Sequence, residues 1–141
     1  MIAIDSSLLV SFYILDAHSQ EASRRMAMGS SMYISSLNRA ELANSIYRQV
    51  FGGKFGTADA DLCWANFEND MAAGVWAFVE TNGRMWERSI ALAKQFSAAI
   101  GTRTLDVLHV ACALELNGER FWTFDERQAK LAEAVGLDTR A

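Results

Sequence analysis

The sequence predicts an α/β fold, a three-layer α/β/α sandwich with a central, mainly parallel sheet of four to five short strands. Short apolar runs alternate with one or two longer segments of helical periodicity, and 51% of the 141 residues are hydrophobic. This alternation is typical of a parallel sheet that carries helices on both faces. The length suits one domain, residues 1–141, and no linker, internal repeat or low-complexity tract divides the chain.

The elements are predicted in order from apolar runs, helical spacing and glycine stops. Strands are expected at residues 1–5, 31–35, 75–80 and 120–124, with residues 137–139 as a possible fifth strand at the edge. Helices are expected at residues 6–29, 36–53, 57–74, 83–101, 104–118 and 125–136. Residues that favour a left-handed backbone mark their ends, notably Gly29, Gly52, Gly53, Gly74, Gly101, Asn117 and Gly118.

Composition excludes several classes of protein. The chain has 13 basic and 17 acidic residues, a net charge of −4, so a nucleic-acid partner has to be inferred from a local site. Cys63 and Cys112 are isolated, which favours reduced thiols in the core over a disulfide or zinc framework. The N-terminal apolar run lacks the features of a signal peptide, and no apolar run has the roughly 18 to 20 residues of a membrane helix. We therefore expect a cytoplasmic protein.

Four acidic residues occupy the predicted strand-to-helix junctions. Asp5 ends the first strand, Glu41 is placed in the first turn of the helix after the second strand, Asp106 opens the helix at 104–118, and Asp125 follows "FWTF". In an open parallel sheet the ligand crevice lies outside the carboxyl ends of the strands. The four carboxylates are therefore expected at one edge of the sheet.

Each acid also has an explanation in helix capping. Asp125 with Gln128, and Asn38 with Glu41, have the spacing of a capping box, which contributes about 1 kcal/mol. Asp106 lies near a helix start, where an anion gains roughly 0.3 to 1 kcal/mol from the helix dipole. Asp5 has the position of a cap for the helix that follows. Capping explains the acids one at a time and does not require them to converge.

Convergence of four carboxylates points to a cation. Neighbouring carboxylates in a partly desolvated crevice repel one another and raise each other's pKa. A hard divalent cation such as Mg²⁺ or Mn²⁺ removes this repulsion, because it prefers oxygen ligands and is usually held by a few carboxylates. The sequence therefore predicts a divalent metal site formed by Asp5, Glu41, Asp106 and Asp125.

The same segments carry a family resemblance. "IAIDSSLL", "SSLNRAELANSIYR", "TRTLDVLHVACAL" and "FWTFDERQAKLAEAVGL" resemble, in order and spacing, the four acidic motifs of PIN-domain nucleases, particularly VapC-like toxins of toxin–antitoxin pairs. The resemblance covers nearly the whole chain, although residues 52–100 match in length and helical pattern only.

This resemblance implies both a fold and a function. It implies a PIN-like domain in which Asp5, Glu41, Asp106 and Asp125 bind Mg²⁺, with Mn²⁺ as a substitute, and act catalytically. Ser6 and Thr123 correspond to small polar residues beside the first and fourth acids. The implied activity is metal-dependent endoribonuclease cleavage of RNA, and the implied assembly is a homodimer bound by a small antitoxin. "LLVSFYIL" is apolar enough to contribute to the dimer interface.

Other residues near the predicted site have two interpretations. Arg39, Arg103 and Arg127 lie two or three residues from a proposed ligand and are either RNA contacts or solvated charges at helix starts. His109 is interpreted as a core residue or as a support for a ligand, rather than as a general base, because no second histidine is nearby. Most of the tryptophan and phenylalanine residues from 64 to 122 are expected to pack in the core rather than stack on bases.

Competing families lack their own signatures here. A haloacid-dehalogenase-type phosphatase needs a second aspartate two residues after the first, where this chain has Ser7. A dinucleotide-binding domain needs a glycine-rich turn after the first strand, and "DSSLL" has none. The remaining alternative is a non-catalytic RNA- or protein-binding module with a PIN-like fold, in which the acids cap helices and hold a structural ion.

Overall fold

The computed structural model describes residues 1–28 and 31–140 and is built on one parallel sheet. The strands are β1 (Ile2–Ile4), β2 (Met32–Ser35), β3 (Ala77–Val79) and β4 (Arg120–Trp122), in the spatial order β3-β2-β1-β4. All three pairings are parallel, with Ala3 opposite both Tyr33 and Phe121. The predicted parallel sheet is confirmed, whereas the possible fifth strand is reduced to one isolated bridge between Arg120 and Asp138.

The helices connect and cover these strands. They are α1 (Ser6–Tyr13), α2 (Ser19–Met26), α3 (Ser36–Phe51), α4 (Thr57–Ala72), α5 (Gly83–Leu92), α6 (Ala98–Ile100), α7 (Thr104–Glu115) and α8 (Glu126–Ala134). A π-helical turn, Ala93–Ser97, joins α5 to α6. No helix in the described ranges is long and apolar enough to cross a membrane.

The single helix predicted at residues 6–29 is wrong, because the chain turns between α1 and α2. Asp16 accepts hydrogen bonds from the backbone N–H of His18 and the Ser11 hydroxyl, both at 2.8 Å. Side-chain contacts of this kind give the backbone an alternative to helix and favour a turn. The predicted stop at Gly29 lies outside the described residues. Two other predicted stops are confirmed, since Gly101 (φ 74°) and Asn117 (φ 52°) adopt the left-handed conformation just after α6 and α7.

The sheet separates two hydrophobic cores, as a three-layer fold requires. On one face Ile2 and Ile4 pack in a cluster that includes Leu8 and Phe67, from α1 and α4. On the other face Ala3 packs in a cluster with Val110 and other residues of α5, α7 and α8. Successive residues of β1 therefore face opposite layers, as strand geometry dictates. The α/β/α architecture predicted from the sequence is confirmed.

Two tyrosines on the two sides of the sheet, the buried Tyr33 and the half-buried Tyr13, provide a test of these cores. Tyr33 is 2% exposed and its hydroxyl has no hydrogen-bond partner among the described residues, whereas the Tyr13 hydroxyl donates to Asp70 and accepts from Trp76. We expect Tyr33→Phe to leave the free energy of unfolding unchanged or raise it by up to about 1 kcal/mol. Tyr13→Phe should lower it by about 1 to 3 kcal/mol, because it leaves the Trp76 N–H unpaired.

Chemical denaturation of the two variants beside the wild type measures both changes. Each substitution removes one hydroxyl and leaves the ring in place, so the difference between the two changes in the free energy of unfolding reports the hydrogen bonds of Tyr13. Equal losses of stability in both variants would contradict the assignment of Tyr33 as an unsatisfied group.

Candidate metal centre

Asp5 lies at the carboxyl end of β1 and is 5% exposed. It is the N-cap of α1: its Oδ1 accepts from the backbone N–H groups of Ser7 (3.0 Å) and Leu8 (3.3 Å) and from the Ser7 hydroxyl (2.6 Å). Burial raises the pKa of the Asp5 carboxyl, and hydrogen bonds from Ser7 and Thr123 only partly offset that rise. The capping prediction is confirmed, but it uses only one of the two carboxyl oxygens.

The second oxygen of Asp5 faces Thr123, directly after β4. Thr123 Oγ1 lies 2.8 Å from Asp5 Oδ2 and 2.9 Å from Gln128 Oε1, and it accepts from the backbone N–H of Asp125 at 2.9 Å. One hydroxyl carries one proton and can donate to only one of these two oxygens. Thr123 therefore connects the second oxygen of Asp5 to the start of α8.

Asp125 and Asp106 meet around one arginine. Asp125 caps α8, since its Oδ1 accepts from the Gln128 backbone N–H at 2.9 Å, as predicted. Arg103, just before α7, lies 3.4 Å from Asp106 Oδ2 through Nε and 3.9 Å from Asp125 Oδ2 through Nη2. The Arg103 side chain is 77% exposed, so this pairing contributes little stability and is easily exchanged. A protein cation thus lies between two of the predicted ligands.

Glu41 belongs to a separate but adjoining set of contacts. Its Oε1 lies 2.5 Å from Nε2 of His109, which is 4% exposed, and the same nitrogen lies 3.4 Å from the Ser6 hydroxyl. Ser6 follows Asp5 directly, so these contacts connect Glu41 to the end of β1. His109 is therefore a buried residue that supports an acid, as one of the two sequence interpretations held.

The predicted capping role of Glu41 is wrong. The N-cap of α3 is Ser35, and Asn38 completes its capping box by accepting from the Ser35 backbone N–H at 2.8 Å. Glu41 is thus the sixth residue of α3, in the second turn rather than the first. An acid in that position is too far along the helix to cap it, so its presence here needs another explanation.

Two residues of this edge were not singled out as site residues from the sequence. Asn38 donates from Nδ2 to the Ile4 carbonyl (3.1 Å) and to the Ser6 hydroxyl (3.3 Å). Gln128, fully buried, donates from Nε2 to the Asp106 carbonyl at 3.2 Å. A buried amide in a helical first turn is a weak signal, because the same residues are ordinary capping partners.

The four acidic side chains are the kind of ligand that a hard divalent cation prefers. Four carboxylates supply only oxygen ligands, and the desolvated Asp5 has an oxygen that does not cap a helix. Within residues 1–28 and 31–140, however, no group of three or more Asp, Glu, His or Cys side chains is already arranged to hold a metal ion. His109 holds Glu41 and Arg103 holds Asp106, so these two acids have to exchange or share partners for an ion to bind.

The other predicted contacts are spread around this edge. Arg39 pairs with Glu68 at 3.0 Å and lies over the Trp64 ring, and Arg127 is exposed in the first turn of α8. Trp76, Trp122 and Phe67 are buried, in line with the expectation that most of these aromatic residues pack in the core, whereas Trp86 and Phe78 are 47% and 40% exposed. The N-terminal apolar stretch 8–15 packs mostly inside its own chain, although Leu15 is 92% exposed.

The fold is shared with proteins of toxin–antitoxin systems. VapC20 of Mycobacterium tuberculosis, a toxin that cleaves the sarcin–ricin loop, aligns over 100% of both chains with a TM-score of 0.75 and 15% identity. FitAcB from Neisseria gonorrhoeae aligns over 100% of this chain and 97% of its own, with a TM-score of 0.77 and 12% identity. A toxin–antitoxin complex from Klebsiella pneumoniae aligns over 99% and 97%, with a TM-score of 0.69 and 15% identity.

These similarities show that the fold is an α/β domain of the kind found in VapC20. No curated protein is significantly similar to the chain in sequence. Residues 2–134 nevertheless match the PIN domain. The chain belongs to the PIN domain family.

Proposed function

We propose that this protein is a metal-dependent endoribonuclease and the toxin of a toxin–antitoxin pair. Membership of the PIN domain family and the shared fold with VapC20, a toxin that cleaves the sarcin–ricin loop, support this activity. The observation that carries the proposal is Asp5, a buried carboxyl of raised pKa at the end of a central strand, with one oxygen not used for capping. Carboxyl groups with a pKa shifted by burial are concentrated at functional sites.

The proposed ligands of Mg²⁺, or of Mn²⁺ in its place, are Asp5, Glu41, Asp106 and Asp125. A divalent cation held by these carboxylates would supply the positive charge and the activated water that hydrolysis of a phosphodiester needs. Thr123 holds Asp5 and Asp125 in fixed relation through its hydroxyl, and Ser6 connects Asp5 to the contacts of Glu41.

The basic residues near this edge are proposed to bind the RNA backbone. Arg103 lies between Asp106 and Asp125. With a cation held by these two acids, the Arg103 guanidinium would be available to bind a phosphate. Arg127 and Arg39 flank the same edge and would add two further phosphate contacts, giving the acidic chain a local basic rim.

We propose an antitoxin partner because structures with a similar fold include complexes with antitoxins. Similar structures include the toxin–antitoxin complex from Klebsiella pneumoniae and VapBC2 from Rickettsia felis bound to a promoter DNA fragment. We propose that a small cognate antitoxin binds this protein, that the protein forms a homodimer, and that it acts in the cytoplasm. Within the stretch 8–15, Leu15 is 92% exposed and Val10, Phe12 and Tyr13 are half-buried, so we propose that these residues contribute to the dimer interface.

The test of the function is cleavage of RNA by the purified wild type. We expect total RNA, and in particular structured ribosomal or transfer RNA, to be cut at internal sites with Mg²⁺ or Mn²⁺ and to remain intact with EDTA. Electrophoresis of end-labelled RNA resolves internal cuts from exonuclease trimming. Restoration of cleavage when Mn²⁺ is added back in excess is the control for damage by the chelator.

A binding module without activity would give a different result. Retention of several structured RNAs or of a protein partner, with no cleavage under any metal condition, would favour the non-catalytic alternative. One observation favours this alternative: among the described residues, no group of three or more acidic, histidine or cysteine side chains is arranged to hold a metal ion.

A further inference from the structure

We propose that His109 is a positioning residue that holds Glu41 in the orientation required for metal binding. The proposal rests on the proposed function and assigns a role to a residue that stands outside the four acids. His109 lies on α7 one turn after Asp106, and it touches an acid of α3. It therefore connects the second and third of the four acidic motifs.

The contact between His109 and Glu41 defines the donor. Nε2 of His109 and Oε1 of Glu41 are 2.5 Å apart. A carboxylate oxygen only accepts, so the tautomer of His109 that carries its proton on Nε2 is the one that donates to an ionised Glu41. The ring is 4% exposed, whereas the Glu41 side chain is 31% exposed. The histidine is therefore the fixed partner, and Glu41 is the group that it orients.

A second set of contacts lies beside the imidazole ring. Because the single proton of Nε2 is donated to Glu41, the more distant Ser6 hydroxyl is at most a second and weaker acceptor of it. The Ser6 hydroxyl lies 3.4 Å from Nε2, and Asn38 Nδ2 donates both to that hydroxyl and to the Ile4 carbonyl. Asn38 is in turn held by the Ser35 backbone N–H. The chain of contacts runs from the end of β1, through the first turn of α3, to the ring. Glu41 is thereby fixed relative to Asp5, although the two acids do not touch.

The surroundings of His109 argue against a purely structural role. Its neighbours on α7 are Leu108 at 1% exposure and Val110 at 0%, and an apolar side chain would fill this position without burying a polar ring. A glutamate has three rotatable bonds, so fixing one of its oxygens in advance lowers the entropic cost of binding an ion with the other. Supporting residues of this kind change metal affinity or activity by about 10- to 100-fold.

The experiment compares three variants of α7. His109→Phe keeps a ring without a donor, His109→Gln restores an N–H donor, and Val110→Ala loosens the same helix without touching Glu41. The affinity for Mn²⁺ is measured without RNA, from the electron paramagnetic resonance signal of the free ion. We expect His109→Phe to weaken Mn²⁺ binding by about 10- to 100-fold. His109→Gln should recover part of the loss, and Val110→Ala should bind Mn²⁺ like the wild type.

Each result has one meaning. Wild-type affinity in His109→Phe, or equal losses in all three variants, overturns the positioning role and leaves the proposed function intact. A wild type that binds no Mn²⁺ overturns the proposed function, and the role of His109 with it.

Nuclear magnetic resonance tests the same contact with His109 and Glu41 both left in place. The chain has only two histidines, and His18 is exposed, so the ¹⁵N-labelled variant His18→Gln leaves His109 as the single imidazole signal. We expect a proton on Nε2 at neutral pH. A ring whose Nε2 is unprotonated under these conditions cannot donate to Glu41 and overturns the proposal.

Discussion

Asp106→Asn is expected to reduce the rate of metal-dependent RNA cleavage at least about 100-fold. Loss of a residue that only supports a metal ligand costs about 10- to 100-fold, so loss of a ligand itself should cost no less. The substitution keeps an oxygen that can accept from the Arg103 backbone N–H, which now lies 3.3 Å from Asp106 Oδ2. The start of α7 should therefore stay intact, and initial rates at saturating Mn²⁺ report the loss of the carboxylate.

Glu115→Gln is the matched control for this variant. Glu115 lies at the other end of α7 and pairs with Arg88, so its substitution removes the same single charge from the same helix. We expect its cleavage rate to equal that of the wild type. Metal-dependent cleavage that persists in Asp106→Asn at more than a tenth of the wild-type rate would reject the proposed ligand set.

Asp5→Asn is expected to raise the stability of the protein without metal and to reduce its stabilisation by Mn²⁺. Mn²⁺ at about 100 times its Kd should stabilise the folded wild type by about 2.7 kcal/mol, or about 10 °C in Tm for a chain of this size. Asp5→Asn should lose most of that gain. Without metal it should be more stable than the wild type, because an amide fills the buried site without a charge and can donate to Thr123.

The pH dependence of this difference follows from the raised pKa of the Asp5 carboxyl. A carboxyl whose pKa is higher in the folded state than in the unfolded state contributes stability below its unfolded value of about 4, and this contribution is lost as the pH rises through the folded value. The advantage of metal-free Asp5→Asn should therefore be absent at low pH and grow towards neutral pH. Differential scanning calorimetry across this range measures it.

Asp138→Asn provides a control in which the contribution of the carboxyl to stability should depend on pH in the opposite direction. Hydrogen bonds from Arg140 lower the pKa of the Asp138 carboxyl to about 2, and this residue lies beside the start of β4, away from the acids. Any stability that it contributes should be lost as the pH falls, and its response to Mn²⁺ should equal that of the wild type. If Mn²⁺ stabilises Asp5→Asn as much as the wild type, Asp5 is not a ligand of the metal.

The fold was predictable because its signals are local and repeated. Strands at residues 2–4 and 32–35 are short apolar runs, and Gly101 and Asn117 end helices where the left-handed conformation is needed. The turn at Asp16 was missed because helical spacing continues across it, and only side-chain hydrogen bonds reveal the break. The π-helical turn at 93–97 has no counterpart in the hydrophobic pattern.

The sequence indicated which acids lie near the ends of the strands, but it did not indicate the side-chain contacts that connect them. The parallel topology justified the expectation that Asp5 and Asp125 lie near each other, and Thr123 now links them. Capping and ligand roles seemed to compete when each acid was taken alone. Asp5 uses Oδ1 as a cap while Oδ2 faces Thr123, so capping does not exclude the ligand role that we propose for the same side chain. The pairing of Glu41 with His109 spans 68 positions, and no local pattern encodes it.

The position of β1 between β2 and β4 has a consequence for synthesis of the protein. Asp5 emerges from the ribosome first, yet its neighbour Thr123 belongs to a segment that is translated 118 positions later. At roughly 5 to 20 residues per second, this delay is on the order of ten seconds. Until β4 has been made and added to the sheet, the carboxylates that we propose as ligands cannot be assembled. A nascent chain on the ribosome should therefore be inactive towards the RNA that surrounds it.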